Sequence, residues 1–358
     1  MAHRLPRVRA RLASLDADGL LLSALPNIRW ACGFTGSNGL LLVTADAAQF
    51  VTDGRYREQA RREVDGAEIL ISSEGLMRRL VEADLLDGLG EVVIQADDVT
   101  VAAYRQLREH CPSVDWRPES SVLRALVAQK EASEVDRIRR AQAVTEEVFD
   151  VILEELRPGR TEQEIAAEIT YQHLRRGAEK MAFDPIVASG PNGAQPHARP
   201  TSRSLQAGDL VVLDMGAVLD GYASDMTRTV AVGDPSAAAR TGYGVVLEAQ
   251  RRALEAARAG MTARELDAVA RSHIEDAGLG DYFAHGLGHG LGLEVHEWPR
   301  VSRTSDDELP VGACVTIEPG VYVPEEEYGV RIEDIVVLQE EGARNLTRTG
   351  KELHVIAP

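Results

Sequence analysis

The chain has 358 residues, with 39 Lys and Arg against 57 Asp and Glu, a formal charge of −18 at pH 7. Hydrophobic residues make up 44%, enough for a real core, and the length suits two domains at roughly 100–200 residues each. The acidic balance excludes a general binder of nucleic acid or of anionic membranes, because phosphate-lined partners demand clustered Lys and Arg. Only Lys130, Lys180 and Lys351 are lysines, a skew that suits a GC-rich genome and a salt-adapted surface equally. Cys32, Cys111 and Cys314 are dispersed and odd in number, which argues against a disulfide framework and points to a reducing compartment. Residues 1–11 are basic, but Asp16 and Asp18 follow where a signal peptide would be apolar. No apolar run reaches about 18 residues, so a soluble cytoplasmic protein with no membrane partner is expected.

In chain order, Leu5, Val8, Leu12 and Leu15 recur at helical spacing. Short apolar runs follow at 19–22, 39–43, 49–52, 68–71 and 92–95, each bounded by Gly, Asp or Asn, as buried strands of an α/β domain would be. Residues 128–156 predict one long amphipathic helix with Val135, Ile138, Ala141, Val144, Val148 and Ile152 on its apolar stripe, stopped by Arg157-Pro158-Gly159. A domain boundary is therefore expected between residues 118 and 128, giving an N-terminal domain over 1–125 and a second over 126–358.

The second domain contains an internal repeat. The segment 205–216, ending Val212-Leu213-Asp214-Met215-Gly216, aligns without gaps with 309–320, ending Thr316-Ile317-Glu318-Pro319-Gly320. Upstream, Gly159-Arg160-Thr161 with Glu164 parallels Gly260-Met261-Thr262 with Glu265. Both read as a capping box that opens a helix. Each half therefore predicts a capped helix, a strand ending in a carboxylate, a turn, and a strand beside a second carboxylate.

Four carboxylates thus fall among apolar neighbours. Asp214 ends one run, Asp225 precedes the strand-like 227–232, Glu318 ends another run, and Glu333 lies within the apolar 330–337. Singly, each reads as an ordinary solvated or Arg-paired residue. The repeat makes them converge, and converging buried carboxylates demand counter-charge. Their summed charge would balance two divalent cations. His285, His289 and His296 lie within twelve residues interleaved with glycines, and His197 follows a turn-rich loop. Imidazole is a common metal ligand and proton carrier. An oxygen-rich set with imidazole and no thiolate suits Mn²⁺, Co²⁺ or Fe²⁺ at least as well as Zn²⁺.

Asp214-Met215-Gly216-Ala217, Tyr222-Ala223-Ser224-Asp225-Met226-Thr227, the His/Gly segment 285–297, Ile317-Glu318-Pro319-Gly320 and Gly329-Val330-Arg331-Ile332-Glu333 resemble the pita-bread metallopeptidases, peptidase family M24. That family includes aminopeptidase P, prolidase and methionine aminopeptidase. Upstream, Phe34-Thr35-Gly36-Ser37-Asn38-Gly39 and Thr52-Asp53-Gly54-Arg55-Tyr56 are similar to the creatinase-type N-terminal domain of the Xaa-Pro peptidases. The resemblance implies an α/β creatinase-like domain followed by an α+β pita-bread catalytic domain with pseudo-two-fold symmetry. It further implies two metal ions, Mn²⁺ first among them. Asp214 would bind one ion through both oxygens, His289 and Glu318 the other, and Asp225 and Glu333 would bridge. His197 and His296 would stabilise the tetrahedral intermediate or hold the scissile peptide, and His285 would lie near the residue after the cleaved bond. Glu318 would also carry a proton to the leaving nitrogen, and Arg331 would support a metal-binding carboxylate.

On this reading the chain is an Xaa-Pro aminopeptidase acting on peptides with proline second. Proline suits such a dedicated site, because its nitrogen lacks the N–H that other peptidases can demand. Xaa-Pro dipeptidase is the alternative, with Arg300 a candidate to hold a dipeptide's carboxylate. Metal-free creatinase chemistry and a non-peptidase binding module on the same fold are more distant alternatives. A homodimer is expected from the family.

Overall fold

The computed structural model describes residues 4–357 and divides into two compact units, residues 1–127 and 128–358. The first unit carries α1 (Arg4–Ser14), β1 (Gly19–Leu22), α2 (Leu25–Cys32), β2 (Leu40–Thr44), β3 (Ala48–Asp53), α3 (Arg57–Glu63), β4 (Glu68–Ser72), α4 (Leu76–Glu82), β5 (Glu91–Gln95), α5 (Val101–His110) and β6 (Asp115–Glu119). Its six strands order as β4-β3-β2-β1-β5-β6. The pairs β3–β4, β1–β5 and β5–β6 are parallel, while β1–β2 and β2–β3 are antiparallel. The apolar runs in the sequence correspond to the strands from β1 to β5, displaced by a residue or so at the ends. The edge strand β6 escaped that reading because its sequence, Asp115-Trp116-Arg117-Pro118-Glu119, is polar and contains a proline.

The short helix α6 (Arg124–Ala128) precedes α7 (Ala132–Glu155). The single helix expected over 128–156 is thus interrupted at residues 129–131, where Glu131 caps α7 through a reciprocal box with Glu134. Along α7, Val135, Ile138, Ala141, Val148 and Ile152 are buried. Val144 is only half-buried, and the polar Gln142 and Thr145 occupy buried positions instead.

The second unit continues through α8 (Glu162–Arg175), β7 (Lys180–Met181), β8 (Ile186–Ser189), β9 (Leu210–Met215), β10 (Ala217–Leu219), β11 (Tyr222–Ala223) and β12 (Met226–Val232). Its other half holds α9 (Ala237–Ala256), α10 (Ala263–Asp276), β13 (Gly288–Gly290), β14 (Glu297–Val301), β15 (Cys314–Ile317), β16 (Gly320–Val323), β17 (Tyr328–Arg331), β18 (Asp334–Leu338), β19 (Ala343–Asn345) and β20 (Val355–Ile356). The repeat is physical. Thr161 with Glu164 and Thr262 with Glu265 form matching capping boxes, and each Thr makes a bridge to a later segment, at Ser204 and Glu308. The helices they open, α8 and α10, are each 14 residues long.

In one half, α7 and α8 pack their apolar faces on β8, β9 and β12 through Ile152, Ile165, Ile169, Leu213 and Val230. In the other, α9 and α10 cover β15 and β18 through Val246, Leu266, Ile274, Val315 and Val336. Fully burying one such aliphatic side chain stabilises by about 1.5–3 kcal/mol. These layers fix the strand ends that carry the polar centre.

Candidate metal centre

The centre is built at matching strand ends. In the first half β9 and β12 pair antiparallel, with Asp214 opposite Thr227 and Asp225 just before β12. In the second half β15 pairs antiparallel with β18, with Ile317 opposite Asp334. Glu318 and Glu333 therefore flank that pair, one just after β15 and the other just before β18. Glu333 is accordingly not inside a continuous strand 330–337, as its apolar neighbours suggested. The chain breaks between β17 and β18, and the Glu333 amide donates to the carbonyl of Thr227 at 3.1 Å. The break turns its side chain toward the other half.

Two glycines make the close approach possible. A Cβ at Gly216 would collide with the carbonyl of Ser224, and one at Gly320 would lie 2.9 Å from the Tyr322 hydroxyl and 3.0 Å from the Val330 carbonyl.

All four carboxylates, with His197, His285, His289 and His296, line one cavity of about 590 Å³, which Phe183 and Ile186 also wall. Oxygen and nitrogen atoms of Asp225, His289 and Glu333 lie within 4.8 Å of one another. His289 donates from Nδ1 to the carbonyl of Gly290 at 3.0 Å, because a carbonyl can only accept. That turns Nε2 toward Glu318 Oε1 at 3.3 Å and Asp225 Oδ2 at 3.7 Å. A nitrogen held among carboxylate oxygens needs a positive charge there, a proton or a metal cation. Two oxygens make the same demand: Asp214 Oδ1 and Glu333 Oε1 are buried and have no hydrogen-bond partner among the described residues. The donor set fits divalent cations on these grounds.

Electrostatics agree. Burial, then repulsion from Glu333 and Asp214, pushes the Asp225 carboxyl well above its ordinary value. Burial, then repulsion from Glu318 and Asp214, does the same to Glu333, and burial raises Asp214 despite the charge of Arg331. Burial would raise Glu318 too, but the hydrogen bond and charge of His289 outweigh it and hold that carboxyl at about 2. Burial would lower His289, yet Glu318 outweighs it and lifts the imidazole to about 9. Without a cation the cluster thus holds protons in its place.

Around these groups lies a hydrogen-bonded support. Arg331, nearly buried, donates from Nη2 to Asp214 Oδ2 at 2.6 Å, from Nη1 to the Tyr322 hydroxyl at 2.6 Å and to the Pro196 carbonyl at 3.2 Å, and from Nε to Thr227 Oγ1 at 3.1 Å. One Asp214 oxygen is therefore already engaged, and Oδ1 is the oxygen with no hydrogen-bond partner among the described residues. Thr316 Oγ1 donates to Glu318 at 3.1 Å.

His285 donates from Nδ1 to the Gly286 carbonyl at 2.8 Å, and its Nε2 lies 3.0 Å from the Tyr322 hydroxyl. Both its nitrogens are taken by the protein, so it borders the cavity with its ring and not with a free donor. His296 stands edge-on to His289, ring centroids 4.4 Å apart, and is exposed, as is His197. Arg300 also lines the cavity.

Sequence reasoning missed Tyr322 and Thr227, which have no signature beyond sitting near the carboxylate motifs. It also missed the buried pair Lys130 Nζ to Glu297 Oε2 at 2.7 Å. The rarity of lysine in this chain was the available signal.

Known proteins agree with this architecture. Residues 136–340 match the model of metallopeptidase family M24, and residues 4–128 match the creatinase/prolidase N-terminal domain. The chain is 36% identical over 337 residues to an Xaa-Pro dipeptidase of Pyrococcus horikoshii, covering 94% of both chains. A solved Xaa-Pro dipeptidase from Bacillus anthracis superposes with a TM-score of 0.96 at 37% identity, over 99% of this chain and 100% of that one. A solved X-Pro aminopeptidase from Thermotoga maritima gives 0.90 at 34% identity, over 97% and 100%. The chain belongs to metallopeptidase family M24, with a creatinase/prolidase N-terminal domain and the pita-bread catalytic fold. It is a metal-dependent hydrolase, and divalent metal ions come with the family.

Proposed function

We propose that this chain is a two-metal Xaa-Pro dipeptidase, cleaving dipeptides in which proline follows one other residue. The observation that carries the metal chemistry is the pair of buried oxygens without a hydrogen-bond partner among the described residues, Asp214 Oδ1 and Glu333 Oε1, on residues that line the same cavity as His289. The preference for dipeptides rests on the relatives called Xaa-Pro dipeptidase, which match over nearly the whole chain. This reverses the order of the sequence reading, in which the aminopeptidase stood first. The Thermotoga structure keeps the aminopeptidase as a second reading.

Asp214 would hold one ion, His289 and Glu318 the other, and Asp225 and Glu333 would bridge them. When bound, two divalent ions polarise the scissile carbonyl and activate water at neutral pH. The oxygen-rich donors favour Mn²⁺, with Co²⁺, Fe²⁺ and Zn²⁺ also able to bind. The protein's own groups do the rest. His197 and His296, exposed to the cavity, would donate to the carbonyl oxygen as its charge develops. Glu318 would pass the proton to the proline nitrogen as the C–N bond breaks. The ring of His285, packed edge-on to Phe283 at 5.2 Å, would border the proline. Arg300, on the cavity wall, would pair with the dipeptide's carboxylate.

No helix among the described residues is long and apolar enough to cross a membrane. The three cysteines are buried free thiols, in keeping with a cytoplasmic setting. A homodimer is proposed from the family resemblance, and light scattering at micromolar concentration tests it.

The decisive experiment offers Ala-Pro to the Mn²⁺-loaded protein beside a chelated control. Metal-dependent release of free alanine and proline is the expected result. Failure to cleave any Xaa-Pro peptide while metal remains bound overturns the specificity and leaves the metal centre standing.

A further inference from the structure

We propose that Glu162 is a positioning residue for His197: its buried carboxylate closes the loop between β8 and β9 at both ends and so fixes where that imidazole stands in the cavity. This rests on the role given to His197 above and adds to the same reaction a residue of α8. Glu162 is the first residue of that helix and is fully buried. Its two oxygens accept five hydrogen bonds, all from the loop. Oε1 accepts from the amide and the hydroxyl of Ser189, both at 2.7 Å. Oε2 accepts from Asn192 Nδ2 at 2.8 Å and from the amide and the hydroxyl of Thr201 at 2.9 and 2.6 Å. Ser189 ends β8 and Thr201 lies at the far side of the loop, so one side chain ties the two together.

The frame reaches the residues on either side of His197. Asn192 Nδ2 donates also to the carbonyl of Arg199 at 3.1 Å, and the Ala198 amide donates to the carbonyl of Gln195 at 3.3 Å. Ala198 is buried against Ala188 and Val212. From the cavity side, Arg331 Nη1 holds the carbonyl of Pro196 at 3.2 Å. The backbone is therefore fixed before and after His197, whose own side chain is exposed and lines the cavity. An exposed imidazole takes its position from that backbone.

The internal repeat separates this duty from folding. Thr161 and Thr262 cap their helices alike, and the backbone pairing beyond each cap is repeated too. The Glu162 and Gln163 amides donate to the carbonyls of Arg203 and Thr201, each at 3.1 Å. The Ala263 and Arg264 amides donate to those of Asp307 and Ser305, each at 2.9 Å. The side chain after the cap is where the halves part, Glu162 in one and the fully buried Ala263 in the other. Docking of the helix therefore does not need the carboxylate, and the half that has it is the half whose loop carries His197.

A buried carboxylate is expensive unless its oxygens are satisfied, and this one is satisfied only while the loop keeps its present shape. The dependence runs both ways. Donors at Ser189, Asn192 and Thr201 hold Glu162, and Glu162 denies the loop other conformations. Glutamine at this position would offer one accepting oxygen and turn an NH₂ group toward donors that need an acceptor. The loop would shift to relieve that conflict, and His197 with it.

The test is a double-mutant cycle on the Mn²⁺-loaded protein with Ala-Pro as substrate. His197→Ala should lower kcat about 100-fold, as the loss of one oxyanion donor does. Glu162→Gln should lower kcat about 10–100-fold, with KM within about twofold of wild type and Mn²⁺ content unchanged. The double variant should match His197→Ala within about threefold, because Glu162 acts through the imidazole. In the metal-free protein, amide hydrogen exchange over residues 189–201 should quicken in Glu162→Gln while that of β9 and β12 stays as in wild type. Asn192→Ala, at a half-buried position, removes one strut of the frame and should lower kcat about fivefold. It too should lose its effect when His197 is absent, and it decides the matter in the same terms if Glu162→Gln does not fold. Losses that multiply in the double variants, wild-type kcat in the single ones, or a loss confined to KM or to metal content would each overturn the proposal. A His197→Ala variant with wild-type kcat would overturn the role of His197, and a wild type inert on Xaa-Pro peptides would overturn the Xaa-Pro reading, the proposal falling with either.

Discussion

Thr227 donates its hydroxyl to Oε2 of Glu333 at 2.9 Å, so a side chain from the first half of the catalytic unit orients a carboxylate of the second. The next residue repeats the link through the backbone. Arg228 donates to the Glu333 carbonyl and, buried, to Asp334 Oδ1 at 2.8 Å. Lys351 adds a bond to the other Asp334 oxygen at 2.8 Å. The two halves are therefore stitched at the residues flanking the carboxylates, and the spacing of the candidate metal donors is set by these cross-links.

Because Asp225 and Glu333 are raised well above their ordinary values by burial and by each other's neighbours, metal binding must displace protons. The sign follows. Between the unfolded carboxyl values near 4 and the raised folded ones, the folded metal-free protein binds more protons than the unfolded chain. Its stability therefore falls as pH rises through that window. We expect the metal-free melting temperature to decline from pH 5 to 8 and Mn²⁺ to restore it, more strongly at the higher pH. Glu333→Gln should flatten the metal-free decline, lose the metal-induced gain and abolish turnover. Scanning fluorimetry with and without chelator, together with metal analysis, checks all three. A Glu333→Gln protein with full metal content and full activity contradicts the bridging role.

Arg331 serves four acceptors around Asp214, Tyr322, Pro196 and Thr227. Removing it leaves a buried carboxylate without its cation, a change that costs about 3–5 kcal/mol in comparable buried pairs. Arg331→Ala should bind metal about 10–100-fold more weakly. Arg331→Lys keeps the charge but cannot span the same acceptors. It should retain metal better than the alanine variant while losing kcat, which metal titration and steady-state kinetics separate.

Much of this was legible in the sequence, and the reasons differ by residue. Asp214, Asp225, Glu318 and Glu333 stood out because charges interrupting apolar runs are costly unless paired, and because the repeat placed them in register. The strands from β1 to β5 were visible because their faces are buried and their ends are marked by turn residues. What escaped depends on contacts between distant segments. Tyr322 matters through Arg331 and His285, and nothing in Gly320-Val321-Tyr322 announces either partner. The break that removes Glu333 from a strand is enforced by its amide's bond to Thr227, more than a hundred residues upstream. The full engagement of His285's nitrogens is likewise a tertiary fact, invisible in a run of His and Gly.

Lys130 and Glu297 form a pair with side chains 1% and 8% exposed, and Glu297 follows His296 directly on the cavity wall. Lys130→Met should destabilise the catalytic unit by about 3 kcal/mol by stranding a buried carboxylate. The double variant Lys130→Met with Glu297→Leu should recover much of that loss. Thermal unfolding of the three variants forms the cycle. Additive losses would show that the pair is not coupled.

His173 lies fully buried on α8. Its Nδ1 donates to the Ile169 carbonyl at 2.9 Å, and its Nε2 sits 3.1 Å from Thr145 Oγ1. Thr145 in turn is 2.7 Å from Ser224 Oγ, the residue beside Asp225. The Nδ1 donation leaves Nε2 as an acceptor in the neutral ring, so the Thr145 hydroxyl points toward it. Burial pushes the imidazole down to about 4. The unfolded histidine titrates near 6.5, so between those values the unfolded chain binds the extra proton and stability rises with pH. The contribution is whole above about pH 6.5 and lost as pH falls toward 4, on the order of 3 kcal/mol in all. Protonation also makes Nε2 a donor, which would turn Thr145 and Ser224 away from their present partners. Measured on metal-loaded protein, where the carboxylate cluster is held ionised, the melting temperature should drop as pH falls below 6.5. In His173→Gln that acid-side drop should be shallower, since glutamine carries no proton to gain. An unchanged acid limb in the variant would place the pH sensitivity elsewhere in the fold.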